Sequence, residues 1–246
     1  MAHRPLPLLG TFHEISLAAR DVRAAVEFYE RLGFTQASTT DAFAHPYGVL
    51  TDGRLAIGLH GRTAPSPTLT FVRPGVAAAL PAFAAAGIAL NSCRLGEDVF
   101  NEIAFADPFG QAVAVLEART YSPAPRAASD TSLCGDFAEV SLPASDFAAA
   151  QAFWEPLGFV AAEETQTPYP HLSLTSDHLD LAFHAPQLWR RAMLVFRDAD
   201  LAARLARLRA LGFTVSDHAV DAGGVVSAAR LEDPDGTSLL LAAAEL

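Results

Sequence analysis

The sequence predicts an α+β fold of four βαβββ modules, paired into two tandem domains, and three observations carry that reading. The stretch EISLAARDVRAAVEFYERLGF (Glu14 to Phe34) returns as EVSLPASDFAAAQAFWEPLGF (Glu139 to Phe159), without a gap and with 12 of 21 residues identical. Two further strand-then-helix openings follow, one after each copy. Each of these ends in the same kind of turn, DPFG at Asp107 and DPDG at Asp233.

The elements can be justified in order. Ile15 and Leu17 alternate with Glu14 and Ser16, the period-2 pattern of a half-buried strand. Asp21 then reads as an N-cap, and Val22, Ala25, Val26, Tyr29 and Leu32 fall at helical spacing. Gly33 ends that helix, since glycine adopts the left-handed conformation of a helix terminus. The copy repeats every signal with Asp146, Phe147, Ala150, Trp154, Leu157 and Gly158, and Tyr29 and Trp154 read as core residues. Shorter strands follow, ending in LAIGLH (Leu55 to His60) and LDLAFH (Leu179 to His184).

The second and fourth modules begin with TLTFV and AMLVF. An Ala-rich helix ending at Gly87 follows the first of these, and LAARLARLRALGF, with Leu201, Leu205 and Leu208 on one face, follows the other. Asp, Pro and Gly at the first, second and fourth positions of the closing turns are type I chemistry. The Pro- and Ser-rich RTYSPAPRAASDTS marks the linker. The expected domains are therefore 1–118 (modules about 10–62 and 66–118) and 135–246 (modules about 135–186 and 190–246), joined by 119–134.

Composition narrows the function. With 51% hydrophobic residues the chain can bury a large core, and no apolar stretch approaches the roughly 20 residues of a membrane helix. A soluble, cytoplasmic protein is expected. A net charge of −11 argues against a nucleic-acid partner, which needs clustered basic residues, and favours neutral or cationic guests. The chain has no lysine, so Schiff-base chemistry and lysine-bound pyridoxal phosphate are excluded. Cys93 and Cys134 read as reduced, buried thiols. The GxSxG, HExxH, Walker A and GxGxxG signatures are all missing.

SLAARDVRAAVEFYERLGF with its later DPFG resembles the vicinal oxygen chelate superfamily, the glyoxalase, bleomycin-resistance and extradiol dioxygenase relatives, over nearly the whole chain. The resemblance implies two glyoxalase/bleomycin-resistance-like domains, each curving into a cup. In catalytic members a divalent metal in the cup chelates neighbouring substrate oxygens. By position, the first-strand ligands fall on Glu14 and Glu139, not on the neighbouring His13. The companion positions fall on Gly58, Thr68 and Ala114 in the first half, and on Ala182, Ala192 and Leu240 in the second. The usual four-ligand set is thus broken twice, and Glu117 and Glu245 have the wrong strand parity to restore it.

What remains is Glu14 with His60 and Glu139 with His184, each histidine two residues beyond a vacated ligand position and on the same strand face. Glu14 and His60 are the catalytic candidates, as base and partner. Ser16, Tyr47, Glu102, Glu139, Ser141 and His184 are candidates for ligand binding. No metal is assigned; a divalent ion, if bound, would draw on Glu14, His60, Glu139 and His184, helped by His45, Tyr47 and Glu102 or by His171 and His178. The expected partner is a small organic molecule, cationic or carbonyl-containing, bound by a monomer or homodimer with no nucleic acid or membrane involved. The leading reading is a small-molecule-binding protein of glyoxalase/bleomycin-resistance type, whose enzymatic form would be a lyase or isomerase moving a proton next to a carbonyl. The alternatives are a metal-free sequestering protein and a metal-dependent dioxygenase.

Overall fold

Each half opens with the strand and capped helix expected of it. β1 (Thr11–Ala18) leads to α1 (Val22–Arg31), where the Asp21 carboxylate accepts the Ala24 N–H at 3.1 Å. The chain then forms β2 (Thr35–Gln36), β3 (Tyr47–Thr51) and β4 (Ala56–His60). The second module supplies β5 (Thr68–Arg73), α2 (Val76–Ala85), β6 (Leu90–Arg94), β7 (Glu102–Ala106) and β8 (Ala112–Glu117). The computed structural model describes residues 7–38, 43–97, 99–118, 132–167, 169–220 and 224–244.

The second half repeats the plan. β9 (Asp136–Pro143) leads to α3 (Phe147–Trp154), capped by Asp146 through the Ala149 N–H at 3.0 Å, and a short 3-10 turn over Glu155–Leu157. β10 (Val160–Thr165), β11 (His171–Thr175) and β12 (Leu181–His184) complete that module. β13 (Met193–Asp198), α4 (Leu201–Ala210), β14 (Ser216–Val220), β15 (Val226–Glu232) and β16 (Ser238–Ala243) form the last. Leu201, Leu205 and Leu208 are buried on one face of α4, as their spacing predicts.

The modules pair as expected, first with second and third with fourth, into two eight-stranded sheets. Their orders are β2-β3-β4-β1-β5-β8-β7-β6 and β10-β11-β12-β9-β13-β16-β15-β14. In each sheet the two modules meet at an antiparallel seam of their first strands, with Glu14 opposite Thr70 in one and Glu139 opposite Val195 in the other. We keep 1–118 and 135–246 as the proposed domain limits; 119–131 of the linker lie outside the described residues.

The tail of that linker is already structured. Leu133 donates its N–H to Leu32 O at 2.6 Å, and Cys134 is fully buried. Cys134-Gly135 thus repeats Leu9-Gly10 ahead of β1. Both glycines have positive φ, and a Cβ would meet Val72 O at 2.2 Å in one case and Arg197 O at 2.6 Å in the other. Cys93 corrects the expectation of two buried thiols: it lies exposed on β6, the edge strand of its sheet.

One apolar core runs through both halves. Phe28 of α1 packs edge-on to Phe213 at 5.7 Å, and Phe153 of α3 lies 6.3 Å from Phe105. Two polar brackets cross the same boundary. Asp107 Oδ1 accepts the Phe109 and Gln111 N–H groups of its own turn, while Oδ2 accepts the Trp154 indole N–H at 3.3 Å. Asp233 does likewise with Asp235, Thr237 and the Tyr29 hydroxyl at 3.1 Å. Burial pushes both aspartates upward against these hydrogen bonds.

Tyr29→Phe keeps the packing but strips the Asp233 Oδ2 of its buried donor. It is expected to cost about 1–3 kcal/mol in urea unfolding. A change within error would show that the bracket contributes nothing.

Candidate functional site

Strand parity puts Glu14 and Ser16 on one face of β1, and the register of the neighbouring strands brings the rest. β4 places His60 next to Ala18 of β1 and opposite Tyr47 of β3. The Glu14 carboxylate, 2% exposed, receives three hydrogen bonds: Ser16 Oγ at 2.7 Å and His60 Nε2 at 2.9 Å on Oε1, and the Tyr47 hydroxyl at 2.6 Å on Oε2. Burial pushes its pKa up, but the bonds from His60, Tyr47 and Ser16 more than offset this and hold it below the ordinary value. Ser16 spends its single proton on Glu14, so Thr70 Oγ1, 2.7 Å away, donates to Ser16.

The network also fixes the imidazole tautomers. A carboxylate only accepts, so His60 donates from Nε2, and in its neutral form it presents the Nδ1 lone pair to His45 Nε2 at 3.0 Å. That leaves His45 with its own lone pair on Nδ1. Burial lowers the His45 pKa, and the nearby Arg62 and His60 add to the effect, so His45 is neutral at pH 7. Phe43 packs its ring 4.6 Å from Tyr47 and 5.1 Å from both histidines. The result is a continuous chain from a buried anion to a partly exposed imidazole.

The metal implied by the resemblance does not fit these residues. Gly58 faces the Glu14 carboxylate so closely that a Cβ there would lie 2.1 Å from Oε1. The space a ligand side chain would need is occupied by Glu14 itself. Glu102 does not join the group: it sits on β7, three strands from β1, and pairs with Arg94 at 3.5 Å. Among the described residues no three His, Cys, Asp or Glu side chains converge as a metal site, whereas a catalytic zinc-type centre uses three protein ligands.

The second half breaks the expected Glu139–His184 pair. His184 Nδ1 bonds to Ser141 Oγ at 2.8 Å, and its Nε2 bonds to Trp189 O at 3.1 Å. Glu139 instead takes the Ser173 hydroxyl at 3.2 Å and lies 3.7 Å from Arg197 and 4.0 Å from His171, with Oε1 left without a hydrogen bond. The physical reason lies in a swap. The offset that carries His60 onto His184 carries His45-Pro46-Tyr47 onto Tyr169-Pro170-His171. The hydroxyl and imidazole have exchanged places, so Tyr169 reaches Ser141 at 3.0 Å rather than the carboxylate. Tyr169, Trp189, Met193, Val195 and Leu240 then fill this cup as a small apolar cluster. His178 stays apart, on the turn between β11 and β12.

Thr70, Phe43, Tyr169, Trp189 and Arg197 are the contributors that sequence reasoning missed. The His-Pro-Tyr and Tyr-Pro-His pair was the available signal for Tyr169, and Thr70 lies on the same strand face as Thr68. Trp189 sits between strands, where no periodicity marks it.

Residues 11–115 match the model of the Glyoxalase/Bleomycin resistance protein/Dioxygenase superfamily. Over those residues the chain is similar to this superfamily. The second sheet repeats its architecture strand for strand. No curated protein sequence matches the chain. Among solved structures, a catechol 2,3-dioxygenase is similar at 14% identity and a TM-score of 0.64, over 98% of this chain and 89% of that one. An extradiol ring-cleaving dioxygenase from B. fuscum gives 14% identity and 0.64, over 98% and 74%. The 2,3-dioxygenase LapB from Pseudomonas sp. KL28 gives 14% identity and 0.62, over 96% and 92%. At these identities the likeness establishes the shared glyoxalase/dioxygenase fold.

Two outcomes follow from this geometry. Gly58→Ala is expected to expel the Glu14 carboxylate from its donors and cost about 1–3 kcal/mol, with loss of the slowly exchanging His60 ring proton in NMR spectra. His184, pushed down to about 4 chiefly by burial, is neutral in the fold and protonates on unfolding from its usual value of 6.5. Unfolding therefore takes up a proton between those values, and stability falls as pH drops through the window. Wild-type protein should lose on the order of 2–3 kcal/mol more than His184→Asn between pH 6.5 and 4. Parallel profiles would contradict this.

Proposed function

We propose that the first half binds a small carbonyl-containing organic molecule and moves a proton next to that carbonyl, as a lyase or isomerase, using its own side chains. The observation that carries this reading is the unbroken relay Glu14–His60–His45, with contacts of 2.9 and 3.0 Å. Glu14 is a poor base, because three donors already stabilise its anion. It instead holds the His60 tautomer and stabilises an imidazolium there. The base is His45 Nδ1: as it takes a substrate proton, its Nε2 proton passes to His60 Nδ1, and His60 becomes a cation against Glu14. Return of the proton to a neighbouring atom completes an isomerisation.

A sequestering protein that binds the same class of molecule without turnover is the second reading, favoured by the burial of Glu14 and the commitment of its carboxylate to Ser16, His60 and Tyr47. The two are separated by turnover itself. Glu14→Gln and His60→Gln are expected to lower kcat by about 100-fold or more with the fold intact, and His45→Ala by about 10- to 100-fold. Chelators should leave the rate unchanged, and the rate should fall only below the ordinary histidine range, since His45 is lowered. Saturable binding of carbonyl compounds with no turnover in the wild type would select the sequestering protein.

A further inference from the structure

A cavity of about 820 Å³ lies away from both cups, between the two halves. It is walled on one side by the end of β1 and the loop after β4, and on the other by residues 190–192 and the turn before β16. Its volume is that of a small-molecule site. Four of the chain's arginines line it, Arg20, Arg62, Arg190 and Arg191, against one carboxylate, Asp235. That carboxylate is committed: Arg20 Nε lies 2.8 Å from Asp235 Oδ1, and the Arg20 backbone N–H reaches the same oxygen at 3.2 Å. Arg62, Arg190 and Arg191 are exposed and have no carboxylate partner among the described residues.

Three unpaired guanidiniums in one cleft are unusual in a chain of net charge −11. Like charges repel one another, and the surface elsewhere offers acidic neighbours that would relieve them. Guanidinium groups present planar, bidentate donors that match carboxylate and phosphate oxygens. The remaining wall is mixed: Ala18, Pro67, Phe109, Pro143 and Ala192 offer apolar contact for a carbon skeleton, among the polar Thr63, Ser66, Gln111 and Thr237.

We propose that this cleft binds a small organic polyanion whose oxyanion groups bridge the halves, one on Arg62 and another on Arg190 and Arg191. The local field thus reverses the guest charge that the overall acidity suggests. Such a ligand ties the halves together through the same cleft that the Arg20–Asp235 pair already spans. It also touches the relay from outside. Arg62 stands two residues beyond His60 and its charge helps lower His45, so a bound anion there relieves that effect and raises the His45 pKa.

Calorimetric titration of the full chain at about 20 mM salt, where screening is weak, tests this with citrate and fructose 1,6-bisphosphate as probes and acetate as control. The expected result is one saturable site for citrate, the bisphosphate or both, at least about tenfold tighter than acetate. Which probe binds identifies carboxylate or phosphate as the recognised group. Arg62→Ala and the double variant Arg190→Ala/Arg191→Ala should each weaken binding by about tenfold with unchanged melting temperature, these side chains being exposed. Glu14→Gln should leave binding intact, which separates this site from the proposed relay. Undetectable binding of both probes, or binding that survives loss of all three arginines, overturns the proposal.

Discussion

The joint between the halves rests on two turn aspartates held by aromatic donors from across the boundary. Asp107 and Asp233 each close their own hairpin with one oxygen, the role that favours Asp at the first position of a type I turn. The second oxygen is buried and needs a donor, and Trp154 and Tyr29 supply it from the opposite half. Each helix is therefore anchored to the other half's turn. Because residues 235–237 follow directly from Asp233, this anchoring also fixes one wall of the inter-half cleft.

Duplication gave both halves the same strand plan, and small changes at few positions sent them different ways. Gly58 leaves room for the Glu14 carboxylate to turn toward three donors, and His45 extends the chain outward. In the second half the Tyr-Pro-His order withdraws the hydroxyl from Glu139, and Trp189 with its neighbours closes the cup. The carboxylate there is left with one oxygen that faces the Arg197 charge but takes no hydrogen bond, and the Arg197 Nε likewise makes none. The first half thus holds an organised acid-base network, and the second has turned its counterparts into packing.

Charge has a similar two-level character. The chain as a whole is acidic, yet arginines gather where the halves meet. A net charge describes the far field, and a cleft wall is read only by what enters it. The absence of lysine sharpens this contrast, since apart from histidine every basic side chain of the protein is a guanidinium.

Sequence alone determined the four modules, the caps at Asp21 and Asp146, the turn chemistry and the strand face carrying Glu14, Ser16 and His60. These depend on local hydrogen bonding and on periodicity, which a linear pattern records. The broken ligand set was also readable, as Gly58 and Ala114 in place of donors. Tertiary structure alone decided which groups meet: Glu14 with Tyr47 and His60, Glu139 with Arg197 in place of His184, Glu102 with Arg94 on a distant strand. Those pairings depend on strand register and on the rotamers that packing allows, and the arginine cleft depends on how two separately encoded halves dock. No local run of residues encodes either.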